Sequence, residues 1–292
     1  MREMNQQDLR DNLLTAASGG KPSVVRYLLE KGAPIDRQVT YYASKSGCVE
    51  VLQALQDHGW KVNDPTISGT TVLALAVEDE HMVRWLLSQG ADPNRGAPLI
   101  GKGAVAESVP DSMDVINAAA AKASVAVMEL LISHGARLGQ ATPLHAAAWS
   151  NLKPDSDRIP MIEFLLRTGL DINCVDHVRG PYCRGRPLDY AVMAENTRIV
   201  EYLLERGATF HPKSFWSLRK ELPARNRELA GILDRYAGFQ EGFGFGIAPV
   251  VRRYVPRHQR SDSDVLWLHG RLEDTRLSVA EKLILDMPLQ RT

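Results

Sequence analysis

An all-α array of stacked helix pairs is the fold class this sequence predicts, and three observations predict it. A phrase of two apolar residues, two spacers and a glycine ends at Gly32, Gly90, Gly135, Gly169 and Gly207, with a degraded copy ending at Gly59. Counted back from the glycine, positions −8, −7, −4 and −3 are apolar. They are Val24, Val25, Leu28 and Leu29 in the first copy, and Met82, Val83, Leu86 and Leu87 in the third. Val127, Met128, Leu131 and Ile132 follow in the fourth, then Met161, Ile162, Leu165 and Leu166, and Ile199, Val200, Leu203 and Leu204. Finally, an alanine precedes the glycine by 16 residues at Ala16, Ala43, Ala119 and Ala191, by 14 at Ala76 and by 22 at Ala147.

Offsets of 0, 1, 4 and 5 share one face of a helix that turns about 100° per residue. Every copy therefore holds a helix with one apolar stripe that another element must cover. The glycine stands where the helix end needs a left-handed residue. The alanine ahead of it marks a shorter helix whose small side chains let neighbours approach. Thr142-Pro143-Leu144-His145-Ala146-Ala147-Ala148 shows how that helix starts, with Thr142 as N-cap and Pro143 in the first turn. After the glycine the chain enters an extended turn, clearest at Ala91-Asp92-Pro93-Asn94. The unit is thus short helix, turn, longer helix, glycine stop and extended finger. Past Gly207 the pattern fades into a final pair at 214–221 and 226–236. There Leu229, Ile232, Leu233 and Tyr236 keep an apolar stripe against a charged back, as a cap should.

The 292 residues are 44% hydrophobic, and 35 Lys plus Arg balance 35 Asp plus Glu. A neutral chain gives no general reason to expect nucleic acid or an anionic membrane as partner. Cys48, Cys174 and Cys183 are too few for a disulfide framework, which fits a reducing compartment. Residues 1–10 are polar and carry no apolar signal segment. The apolar stretch 115–132 is broken by Asn117, Lys122, Ser124 and Glu129, too often to span a bilayer. The expectation is a soluble intracellular monomer, cytoplasmic, nuclear or both.

These units resemble the ankyrin-repeat family. The phrases that carry the resemblance are Thr142-Pro143-Leu144-His145-Ala146-Ala147, Leu86-Leu87-Ser88-Gln89-Gly90-Ala91-Asp92-Pro93-Asn94 and Val200-Glu201-Tyr202-Leu203-Leu204-Glu205-Arg206-Gly207-Ala208. The resemblance covers about residues 9–210 as six units. It implies an L-shaped helical solenoid with hairpin fingers that binds other proteins through fingers and concave face. It implies no shared catalytic residue and no cofactor. It also implies that His145 ties backbone groups in adjoining turns, with Asp189 doing similar polar work in the sixth unit. Residues 1–210 are then the repeats, 211–237 a C-terminal capping helix pair and 238–292 a tail.

The departures carry the individuality. A period of about 33 residues sets the step from a glycine to the next alanine at about 17. Here the step is 11 before Ala43, 17 before Ala76, 29 before Ala119, 12 before Ala147 and 22 before Ala191. Two fingers are clipped and two are enlarged, at 94–113 and 173–185. A third insertion, 150–160, falls between the two helices of the fifth unit, at the end away from the fingers. Loops added to a rigid scaffold are a common place for function, and drift in tolerant surface loops is the competing reading. In the tail, glycines and phenylalanines from Gly238 to Gly246 precede Arg252, Arg253, Arg257 and Arg260 and then two apolar clusters. It either folds back on the cap or binds a partner.

Little in the chain reads as chemistry. Cys174, His177 and Cys183 form C-x2-H-x5-C in one enlarged finger, but closed zinc sites want four ligands, so an ordinary loop with free thiols is expected and no metal. Asp79-Glu80-His81 reads as a turn whose charges face water. The chain holds no phosphate loop, nucleophile elbow or H-E-x-x-H. Alignment on the alanines sends Tyr42, Lys45, Glu78, Lys122, Trp149, Tyr190 and Met193 to the exposed side of the first helices. Arg95, His177 and Tyr182 join them from the fingers as candidate partner-binding residues. Tyr and Trp are wide, rigid anchors of interfaces; the competing reading packs Trp149 and Tyr190 beneath the enlarged fingers. The expected function is a non-catalytic protein-interaction scaffold or adaptor. An enzyme with chemistry in the tail or an enlarged finger stays open, although the 55 residues after Ala237 are few for a catalytic domain. An adaptor recruiting other machinery through the tail stays open too.

Overall fold

The computed structural model describes residues 5–97, 112–150, 157–176, 185–210 and 226–237. The chain divides into two compact units, Met1–Gly169 and Leu170–Thr292. Every regular element among the described residues is helical.

In the first unit five helix pairs follow one another: α1 (Gln6–Ser18) with α2 (Pro22–Glu30), α3 (Arg37–Lys45) with α4 (Val49–Asp57), α5 (Val72–Leu75) with α6 (Glu80–Ser88), α7 (Asp114–Lys122) with α8 (Val125–Ser133), and α9 (Pro143–Ala148) with α10 (Ile159–Arg167). The first helices pack in succession, α1 on α3, α3 on α5, α5 on α7 and α7 on α9. The second helices form a layer of their own, α2 on α4, and α6 on α8 on α10. Fully buried Ala43, Ala119 and Ala147 sit in the first layer, so the predicted close approach is the one observed. In the second unit α11 (Pro187–Met193) packs on α12 (Thr197–Glu205), and α12 on α13 (Arg227–Ala237). Leu229 and Ile232 of α13 are buried, while Arg227, Glu228 and Arg235 are exposed. Among the described residues the fold is thus all-α and repeat-like, with five helix pairs in the first unit and one pair plus a further helix in the second.

All six phrase-ending glycines hold φ between 83° and 101°, the left-handed region that a side chain resists. Five of them stop their helix with the same pair of bonds. Gly32 N–H donates to Leu29 O at 2.9 Å and Ala33 N–H to Leu28 O at 3.0 Å, and Gly135 and Ala136 repeat the pair on Ile132 and Leu131. These bonds take up carbonyls that a helix end leaves orphaned. Twelve residues ahead of the stop, the turn between helices also turns left-handed at Gly20 and Gly47. In the last pair Glu195 occupies that place at φ 54°.

The fingers are tied to one another by asparagine. Asn94 Nδ2 donates to Gly135 O at 2.9 Å, and its Oδ1 accepts from Arg137 N–H at 2.8 Å. Asn63 makes the same two bonds to Gly90 O and Asp92 N–H, and Asn173 to Gly207 O and Thr209 N–H. Each lies four residues past a stop and reaches the next one.

Four local expectations need correction. Val24 is 42% exposed, although its counterparts Met82, Val127, Met161 and Ile199 are buried. No described helix pair precedes α1 and α2 in the chain. Thr142 precedes α9 but makes no capping bond; its hydroxyl accepts from Asn117 Nδ2 instead. Asp79 does not merely face water: its carboxylate caps α6 by accepting from Met82 N–H at 3.0 Å. The first helix of the third unit shrinks to four residues, matching its shortened spacing to Gly90. The expected helix 214–221, the tail 238–292 and the middles of the enlarged fingers lie outside the described residues.

Candidate functional site

The exposed edge of the first helices begins on α3. Asp36 starts that helix by accepting from Gln38 N–H and Val39 N–H, and Arg10 of α1 clamps the same carboxylate at 2.6 Å. With its register fixed, α3 turns Val39 and Ala43 inward and leaves Tyr42 37% exposed and Lys45 exposed. Tyr42 stands edge-on to Tyr41, with ring centroids 5.3 Å apart, and Lys45 Nζ lies 5.9 Å from the Tyr41 centroid. Tyr41 is therefore a member of the cluster that sequence reasoning passed over. Its spacing of four from Lys45 was the available signal.

Trp149 ends α9 and is 44% exposed. Its N–H donates to His145 O at 2.9 Å, and the next residue is fixed by Ser150 Oγ donating to Ala121 O at 2.8 Å. The ring thus projects from a backbone that is held on both sides. The far end of the insertion is pinned as well, because Arg158 Nη1 donates to Ala123 O at 2.7 Å. Burial lowers the pKa of this guanidinium, against the opposing charges of Asp157 and Glu78. Lys122 is exposed at the end of α7, whereas Glu78, expected on a first helix, is exposed in the turn between α5 and α6 because α5 stops at Leu75. The insertion does lie between α9 and α10, as its spacing required.

Not every candidate joins this edge. Tyr190 is only 9% exposed. Its hydroxyl donates to the buried Asp176 carboxylate at 2.5 Å, and Asp176 N–H donates to Gly185 O at 2.9 Å, so the ring closes the root of the enlarged finger. A Cβ on Gly185 would stand 3.2 Å from that ring. Tyr190 therefore belongs to the competing reading, packed under its finger. Met193, three residues on, is exposed on α11. Arg95 is half-buried in its finger, where its carbonyl accepts from Thr71 Oγ1. His177, Tyr182 and Cys183 lie outside the described residues.

The polar interior is structural. His145 is buried in α9. Asp189 is buried too, and accepts from Arg186 N–H at 2.6 Å at the start of α11. Burial, helped by the charge of Asp171, pushes the Cys174 thiol up to about 11, which suits neither a nucleophile nor a metal ligand at neutral pH. Among the described residues no three His, Cys, Asp or Glu side chains group so as to hold a metal ion. Nor is any helix among them long and apolar enough to cross a membrane. What the edge offers is wide aromatic surface with mixed charge around it, an arrangement suited to holding a protein surface.

Comparison with known proteins agrees with this geometry. Residues 11–97 match the family description of ankyrin repeats in three copies, and residues 139–177 match that of a single ankyrin repeat. Over 211 residues the chain is 28% identical to the ankyrin repeat protein nuc-2 of Neurospora crassa. The match takes in 68% of this chain and 18% of that protein, so the chain spans under a fifth of the length of the curated relative it matches.

Proposed function

We propose, starting from a chain that belongs to the ankyrin-repeat family, that it is a non-catalytic scaffold holding another protein on the exposed edge of its first helices. One contrast supports this most. The first helices turn alanine inward, with Ala43 and Ala147 fully buried, and carry Tyr42 and Trp149 outward. Folding alone gives no reason to hold a large, half-exposed indole on a fixed backbone, whereas interfaces concentrate their energy in such anchors. Lys45, Glu78 and Lys122 would steer the approach. Met193, Arg95, His177 and Tyr182 remain proposed contacts in their own units. The same reading takes 1–210 as repeats, 211–237 as cap and 238–292 as tail, in an intracellular monomer whose partner is a protein.

The test is Trp149→Ala, measured against a partner captured by the full chain. Binding weakens by more than ~1 kcal/mol while the unfolding midpoint stays near wild type, because the side chain is half in water. Unchanged affinity for that partner removes Trp149 from the interface.

A further inference from the structure

Two apolar positions on α2 are covered in every later copy and open in this one. Eight residues before the glycine stop, Val51, Met82, Val127, Met161 and Ile199 are each 2% exposed or less, whereas Val24 is 42% exposed. Five residues before the stop, Ala54 and Tyr202 are buried and Trp85, Leu130 and Phe164 half-buried, whereas Tyr27 is 52% exposed. Three residues apart, Val24 and Tyr27 share one face of their helix.

The packing shows which neighbour that face lacks. Helix α10 packs on its own first helix, α9, and on the second helix before it, α8, and Met161 is covered. Helix α2 packs on its own first helix, α1, and on the second helix after it, α4, and Val24 is not covered. The open face is therefore the one that a preceding second helix covers. The α1 half of the same end is finished differently. Four residues before the seam alanine, Val39, Val72, Val115, Pro143 and Pro187 are buried, and in their place Asn12 is exposed. A terminal repeat turns a polar face outward; α1 does so and α2 does not. The rim carries both signs, since Glu30 and Lys31 are exposed side by side and Lys31 Nζ lies 5.6 Å from the Tyr27 ring centroid, so charge sets no preference there.

We propose that a single amphipathic helix of a partner protein lies along α2 on Val24 and Tyr27, extending the layer of second helices by one member. Continuity with that layer, α2 on α4 and α6 on α8 on α10, identifies the occupant as a helix with an apolar stripe. Asn12 limits it to one helix, because a helix pair, such as the end of a second copy, would find apolar surface for only one of its two members. That the helix comes from a partner rests on the scaffold reading. The face does not, since neither Tyr42 nor Trp149 belongs to α2.

The test pans a displayed library of helical peptides, about 20 residues long and randomised along one stripe, on the full chain, and then titrates the enriched peptides. They carry large apolar residues at i, i+3, i+4 and i+7, gain helical ellipticity on binding and shift the amides of residues 21–31. The double variant Val24→Ser, Tyr27→Ser binds them about tenfold more weakly, with an unfolding midpoint near wild type because both side chains are exposed. Should that variant fold poorly, Tyr27→Lys alone gives the same loss. Absence of enriched peptides, shifts confined to α3 and α9, or full affinity in both variants overturns the proposal. So does a dimer in sedimentation that the double variant dissolves, which gives the face to a second copy. Amide shifts at residues 265–285 in the free double variant overturn it too, by giving the face to the chain's own tail. Trp149→Ala leaves the affinity for these peptides unchanged, so failure of either site is told apart from failure of the other.

Discussion

Asn94→Ala isolates the brace that joins one finger to the next. The carboxamide donates to Gly135 O at 2.9 Å and accepts from Arg137 N–H at 2.8 Å, spanning more than forty residues of chain. A net intramolecular hydrogen bond contributes about 0.5–1.5 kcal/mol, and more is lost when the abandoned partner is sealed from water. Gly135 and Arg137 are exposed, so water takes over both freed groups and the larger penalty does not apply. Two such bonds sum to about 1–3 kcal/mol, and exposure of both partners keeps the pair in the lower part of that range, at ~1–2 kcal/mol. In urea the midpoint falls accordingly with little change of slope.

Repeat arrays can unfold in parts, which makes a local readout necessary. Amide exchange at Arg137 serves, since its N–H loses its acceptor. The same ~1–2 kcal/mol speeds that exchange by roughly 5- to 30-fold. Asn94→Asp keeps the acceptor for Arg137 but drops the donor to Gly135, and loses about half as much. A wild-type midpoint together with wild-type exchange at Arg137 would falsify the brace.

The other predictions are shorter. Leu165→Ala truncates a fully buried side chain of α10 and costs ~2–5 kcal/mol; a urea midpoint matching wild type contradicts the helix-face assignment. Glu195→Gly relieves a left-handed residue at φ 54°, which costs ~1–2 kcal/mol, against ~0.4–1 kcal/mol of added unfolded-state freedom. The midpoint rises by about 0.5 kcal/mol equivalent, and a clear fall would show that the carboxylate matters more than the strain. The Cys174 thiol, raised to about 11 by burial, holds its proton above the pH at which the unfolded chain releases it. Stability from this group is thus present below pH ~9 and lost as pH climbs toward 11. In a Cys48→Ser, Cys183→Ser background, iodoacetamide labelling accelerates only above about pH 10, and a midpoint at or below 9 defeats the assignment.

What the chain displays openly is whatever repeats with a short period. The glycine stops, the alanine seams and the stripe of α6, α8, α10 and α12 depend on residues within one or two turns, so counting along the sequence locates them. Val24 shows the limit. A stripe says which side of a helix is apolar, and nothing within the stripe says whether a neighbour covers it. Tyr190 shows a second limit: alignment on Ala191 fixes its direction around the helix, but its acceptor is Asp176, fourteen residues earlier and across a finger root. The asparagine brace was legible, since Asn63, Asn94 and Asn173 each stand four residues past a stop.

The braces also explain how fingers of such different length share one scaffold. The enlarged finger before α7 is closed at its root: Ala97 N–H donates to the Asp114 carboxylate at 2.7 Å, Ser112 Oγ to Ala97 O at 2.8 Å and Ser112 N–H to Asn94 O at 2.7 Å. The finger after Asn173 is closed by Asp176, Gly185 and Tyr190. Chain added beyond a closed root costs only loop entropy, about 0.6 kcal/mol for each doubling of length. The step of 29 residues is less than twice that of 17, so its penalty stays below the ~1–2 kcal/mol contributed by the Asn94 brace alone. Lengthening therefore leaves the stack intact. Shortening acts differently. The clipped first finger has no enlarged loop to close, and Asp36 fixes it directly by capping α3 and accepting from Arg10 of α1.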